Sequence, residues 1–173
     1  MQLITASVDT RIRIFDLYAT ASRTANALKP VTILEGHDSV PRGLDVTPNG
    51  KWLISGGRDS VVLIWDLSSR GEHKRQKGKR DDENSRPILA KTVPILERVE
   101  AVGFVSSYND LAESTSCSES LCFYTGGEHG VVKLWDGRAG TVLYTLCDEH
   151  NTNHGDQEEQ RQIVDVMCVV FIS

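Results

Sequence analysis

Residues 36–66 decide the fold: Gly36-His37-Asp-Ser-Val40, Pro41-Arg-Gly-Leu-Asp45-Val46, Thr47-Pro-Asn49-Gly50, Lys51-Trp-Leu-Ile-Ser55-Gly-Gly-Arg-Asp59, Ser60-Val-Val-Leu-Ile-Trp65-Asp66. Three short apolar runs stand out, Gly43–Val46, Trp52–Ser55 and Val61–Trp65. Each is bounded by Gly, Pro, Asn or Asp, which is the signal of a strand between turns. Asn49-Gly50 reads as a hairpin turn, because glycine accepts the positive φ that such turns require. No segment here sustains a helical period.

The pattern recurs on both sides. Thr5-Ala-Ser-Val-Asp9 leads to Arg13-Ile-Phe-Asp16, and Thr125-Gly-Gly-Glu-His129 leads to Lys133-Leu-Trp-Asp136. Each unit is a strand, a tight turn, and a strand ending in an aromatic residue followed by aspartate. Further runs at Val31–Leu34, Thr92–Ile95, Ala101–Val105, Cys122–Thr125, Val131–Trp135, Val142–Leu146 and Ile163–Ile172 extend the series. The closing aspartates are 50 and 70 residues apart, whereas a repeat of this kind takes about 40–45 residues. Insertions supply the excess: residues 68–87 carry no aliphatic side chain, 106–120 are serine-rich, and 148–162 are polar. All three read as solvated loops, since they bury too little apolar area to offset their ordering entropy.

Composition narrows the function. Hydrophobic residues make up 39% and charged residues 25% of 173, an ordinary globular balance. The net charge of −5 argues against a whole-surface grip on nucleic acid, which needs a basic face. Cys117, Cys122, Cys147 and Cys168 match no zinc or redox spacing. Cys122, Cys147 and Cys168 sit among apolar residues and read as small hydrophobes in a reducing compartment. No cofactor loop or metal cluster is expected. No apolar run reaches the ~18 residues of a membrane span, and the first residues lack the regions of a signal peptide.

The second unit resembles a WD40 repeat, the unit of propellers built from four-stranded blades. The resemblance rests on Gly36-His37, Asn49-Gly50, Ser55, Asp59 and Trp65-Asp66. It implies an all-β, incomplete propeller of roughly three antiparallel blades. The expected blade parts are 1–34, 40–95, 99–146 and 163–173, the last being one strand of a further blade. The resemblance also implies that His37, Ser55, Asp59 and Trp65 form a structural tetrad of hydrogen-bonded side chains. The same residue types invite a catalytic-triad reading. A nucleophilic serine, however, sits in an exposed elbow such as Gly-x-Ser-x-Gly, and Ser55 lies in a strand entering a turn. The neighbouring units are degraded. Phe15 has no N–H to donate, His129 replaces the turn aspartate, and no Gly-His precedes Ala101–Val105. Those units are expected to depend mainly on apolar burial.

Residues 34–146 are also similar to the transducin-β-like nucleolar WD40 proteins of the small-subunit processome, the assembly associated with the U-three small nucleolar RNA. The shortened join at Glu97-Arg98 carries this likeness best, with Phe123-Tyr-Thr-Gly-Gly behind it. It implies a non-catalytic scaffold of the nucleus and nucleolus, acting in precursor ribosomal-RNA processing. Its partners would be other WD40 and scaffold proteins of a large complex, with precursor or small nucleolar RNA contacted indirectly and no membrane. The alternative is an adaptor of another complex, such as a ubiquitin-ligase substrate receptor or a signalling scaffold. Within the first insertion, Lys74, Arg75, Lys77, Lys79 and Arg80 put five positive charges in seven residues. Such a cluster suits nuclear import or an RNA-phosphate contact. Asp81-Asp82-Glu83 follow at once and partly neutralise it, so a plain solvated loop also accounts for it.

Overall fold

The computed structural model describes residues 1–17, 29–68, 87–105, 121–127 and 130–146. Among the described residues, eleven strands form three antiparallel sheets. The first contains β1 (Gln2–Ala6), β2 (Ile12–Asp16) and β3 (Thr32–Leu34). The second contains β4 (Pro41–Val46), β5 (Trp52–Gly57), β6 (Val61–Asp66) and β7 (Ile88–Pro94). The third contains β8 (Val99–Phe104), β9 (Cys122–Gly127), β10 (Val132–Asp136) and β11 (Thr141–Leu146). Within each sheet the strands lie side by side in chain order. The fold is an incomplete β-propeller. The expected strand Ile163–Ile172, the insertions 106–120 and 148–162, and all but the ends of 68–87 lie outside the described residues.

Local chemistry fixes the hairpins. In three units the Thr10, Ser60 and Gly130 amides bond back to the carbonyls of Ser7, Gly57 and Gly127. These three residues have φ of 67°, 63° and 71°. That is a tight turn followed by one left-handed residue, a common three-residue hairpin loop. The Asn49-Gly50 turn has the same form, with Gly50 at φ 70° and its amide on the Thr47 carbonyl. Several strands outrun their sequence signal, β7 furthest. β7 begins at Ile88 rather than Thr92, because Ile88 and Leu89 pair with Asp66 and Trp65 while standing 60% and 41% exposed. A strand exposed on both faces carries no alternation to read.

Two apolar cores lie between the sheets. Ile12, Ile14 and Leu34 of the first sheet meet Leu53, Leu63 and Trp65 of the second. Ile54, Ile64 and Val93 of the second meet Val99, Phe123 and Trp135 of the third. Each such side chain contributes about 1.5–3 kcal/mol when fully buried. β4 and β8 lie beside each other, so the first strands of successive four-stranded sheets form the inner rim. β11, the last strand of its sheet, is almost wholly exposed.

Candidate functional site

β5, β6 and the turns at one end of the second sheet bring four polar side chains into a single chain of hydrogen bonds. The Trp65 indole N–H lies 3.1 Å from Ser55 Oγ, which lies 2.8 Å from His37 Nε2. His37 Nδ1 lies 2.8 Å from Asp59 Oδ2, which also accepts the Asp38 backbone N–H at 2.9 Å. A carboxylate can only accept, so His37 Nδ1 donates to Asp59; a neutral imidazole then accepts at Nε2 from the Ser55 hydroxyl, whose oxygen accepts from the Trp65 indole N–H. His37 is therefore the tautomer that donates from Nδ1 to the Asp59 carboxylate. Every proton in the chain points from Trp65 toward Asp59.

Burial sets what this array can do. Ser55 is wholly inaccessible, and Trp65 and His37 are 3% and 5% exposed. A hydroxyl sealed under a blade and engaged on both sides offers no nucleophile to a dissolved substrate. The array holds the turn of residues 57–60 against the join that precedes β4. Gly57 permits the closeness, since a Cβ there would stand 2.7 Å from Asp59 Oδ1 and 3.1 Å from His37 Nδ1. Asp59 Oδ1 itself is buried with no hydrogen-bond partner among the described residues.

The other units use different bonds. In the first, Asp9 occupies the turn position of Asp59 and pairs with Arg13, four residues on, which holds the Asp9 carboxyl well below the usual range. Phe15 pairs across the ladder with Leu3 and is partly buried. In the third unit, Trp135 Nε1–H donates 2.8 Å to Thr125 Oγ1, which is 2% exposed. Thr125 stands where Ser55 stands, one sheet on. Glu97 fills the space beside Gly127 that His37 and Asp59 fill beside Gly57, and it accepts a 2.6 Å bond from Lys133 Nζ. The third unit thus adds polar bonds to the apolar burial expected of it. His129 lies outside the described residues, as do Cys117, Cys147, Cys168 and the basic cluster Lys74, Arg75, Lys77, Lys79 and Arg80. Cys122 is buried on β9.

A clasp between sheets was not visible in the sequence. Both inner strands carry one extra residue against their partners: Arg42 between Pro41 and Gly43, and Glu100 between Val99 and Ala101. A bulge re-aims its side chain, and these two meet. Glu100 Oε2 accepts from Arg42 Nε at 2.9 Å, and Oε1 accepts from Arg58 Nε at 2.9 Å. The Glu100 side chain is 2% exposed and those of the arginines are 38% and 43% exposed. Burial pushes the Glu100 carboxyl up, but the two guanidinium bonds outweigh it and hold the group below its ordinary value. A depressed carboxyl contributes stability that is present above its unfolded value, about 4.3, and is lost as pH falls through the lower folded value. Glu100→Gln is therefore expected to cost about 1–2 kcal/mol at neutral pH, the half-exposed arginines limiting the effect. The gap from the unchanged protein should shrink as acid denaturation proceeds. Urea melts at stepped pH check this, and a gap constant with pH would contradict it.

These features define a WD40 blade. Residues 28–66 match the family model described as "WD domain, G-beta repeat", so this stretch is a WD40 repeat. Across most of the chain there are more distant likenesses. Transducin beta-like protein 3 of Rattus norvegicus is 29% identical over 143 residues, covering 83% of this chain and 15% of that protein. Nuclear distribution protein PAC1 of Arthroderma otae is 30% identical over 151 residues, covering 86% of this chain and 29% of that protein. The chain thus spans between about a seventh and a third of the length of these relatives.

Proposed function

We propose that the protein is a non-catalytic scaffold of the nucleolus that supports processing of precursor ribosomal RNA for the small subunit. The observation that carries this reading is the likeness to Transducin beta-like protein 3, which runs through 83% of the chain. The site chemistry agrees with it, because the polar array of the second blade is sealed and braces turns. A propeller of this kind acts through its rims and loops, and its net charge of −5 suits docking among proteins better than wrapping a polyanion. Precursor or small nucleolar RNA is then met within the assembled particle. A second reading, an adaptor of a different complex, draws on the likeness to Nuclear distribution protein PAC1.

Depletion of the protein separates the two. The nucleolar reading expects mature small-subunit RNA to fall and its precursors to accumulate, with the protein concentrated in nucleoli. Unchanged precursor levels would contradict it. The basic insertion is proposed to serve nuclear import or proximity to RNA. Replacing Lys74, Arg75, Lys77, Lys79 and Arg80 with alanine is expected to lower the nuclear fraction or RNA crosslinking severalfold while leaving the thermal melt unchanged. An unaltered distribution together with unaltered crosslinking would reduce the segment to a solvated loop.

A further inference from the structure

The clasp between the second and third sheets engages each of its arginines through Nε. Arg42 and Arg58 both give that proton to Glu100, and a guanidinium has five N–H donors in all. Their side chains remain 38% and 43% exposed around a carboxylate that is 2% exposed. A buried anion thus fixes two half-exposed forks side by side, and the three groups together leave one net positive charge. Arg58 lies on the turn of residues 57–60, whose Ser60 carbonyl accepts the Ile95 amide at 2.9 Å. The join after β7 is therefore held against that turn, and it presents Leu96. Leu96 has φ 66° and is 92% exposed. The left-handed region strains a leucine backbone, and a side chain so exposed gains nothing from the core. Leu96 borders a cleft of about 690 Å³, together with Pro94, Val131 and Val142. Glu97 and Lys133, which also line the cleft, pair with each other at 2.6 Å.

We infer that this end of the second and third sheets docks a segment of a partner protein that carries an acidic residue beside an apolar one. The carboxylate sits on Arg42 and Arg58, and the apolar side chain packs against Leu96 in the cleft. Backbone strain kept at an exposed position is characteristic of functional sites, and an exposed leucine at the mouth of an apolar cleft suits an interface. Guanidinium forks meet carboxylates in planar, two-bond contacts, a recurring mode of acidic-motif recognition. Charge chooses among the anions. One net positive charge is balanced by one carboxylate, whereas a phosphorylated side chain brings close to two negative charges beside Glu100. A nucleic-acid strand needs a track of cations along its backbone. Here the turn that carries Arg58 also carries Asp59, with the Asp38 amide bonded to it. The surface lies wholly on two four-stranded sheets and holds for whichever assembly the protein serves.

Selection of a display library of short random peptides on the full chain tests this. Enriched peptides are expected to place Asp or Glu next to Leu, Ile or Phe. The tightest of them, labelled and followed by fluorescence anisotropy, should lose about tenfold in affinity on Arg58→Lys, which keeps the charge and removes the fork. With the peptide's acid changed to its amide, the unchanged protein and Arg58→Lys should bind alike. Leu96→Gly should weaken the acidic peptide by a similar factor while the thermal melt stays unchanged or rises, because glycine accepts the left-handed conformation without strain. A misfolded variant would melt lower. Tighter binding of a single-stranded RNA, or of the same peptide with phosphoserine in place of its acid, would overturn the inference. So would enrichment of basic or uncharged sequences, no enrichment at all, or an affinity indifferent to Arg58→Lys and Leu96→Gly.

Discussion

Phe123→Ala is expected to lower the unfolding free energy by about 3–5 kcal/mol, the range for deleting a buried aromatic ring. Phe123 is wholly buried on β9 in the core between the second and third sheets. Its ring lies parallel to that of Trp135, with centroids 6.0 Å apart and planes 3° apart. It pairs across the ladders with both Phe104 and Trp135, so no neighbour on one side can close the cavity alone. Phe15→Ala, in a partly buried position on β2, should cost no more than about 1–2 kcal/mol, in proportion to its smaller buried area. Urea unfolding of the three proteins gives the comparison. Equal losses at Phe15 and Phe123 would mean that the core between the second and third sheets is misassigned.

Ser55→Ala is the second large effect, expected at about 2–4 kcal/mol although only one oxygen is removed. The hydroxyl is the middle of the array, so its loss strands the Trp65 N–H and His37 Nε2 together. Each buried group left without a partner costs about 1–3 kcal/mol. Thr125→Val strands one group, the Trp135 N–H, and keeps the volume of the side chain. It should cost about 1–2 kcal/mol, roughly half as much. A Ser55→Ala loss no larger than that of Thr125→Val would show that His37 takes no bond from Ser55.

Much of this was legible in the sequence, for identifiable reasons. The strands of the second unit announce themselves because both faces of β5 and β6 are buried, which yields continuous apolar runs bounded by turn residues. His37, Ser55, Asp59 and Trp65 could be named because a resemblance assigns them a joint role, and the structure brings all four within hydrogen-bonding distance. Thr125 was legible in principle: it aligns with Ser55, and a hydroxyl before Gly-Gly is the shared signal. The Arg42–Glu100–Arg58 clasp left no such trace. It depends on two bulges that fall at the same place in adjacent strands, and bulges follow from pairing register, which local pattern does not specify. Glu97 stands in the sequence as part of a shortened join, but its filling of the space beside Gly127 depends on how the join folds back over β9.

The proposed role is that of a scaffold within a nucleolar assembly. Affinity purification of the protein at its native level, followed by chemical crosslinking and mass spectrometry, tests it most directly. Co-recovery of small-subunit assembly factors and small nucleolar RNA is expected, with protein crosslinks mapping to the propeller rims and the loops between strands. Recovery of a cullin ligase or a membrane signalling complex, with no ribosome-assembly factor, would contradict the claim and leave only the propeller standing.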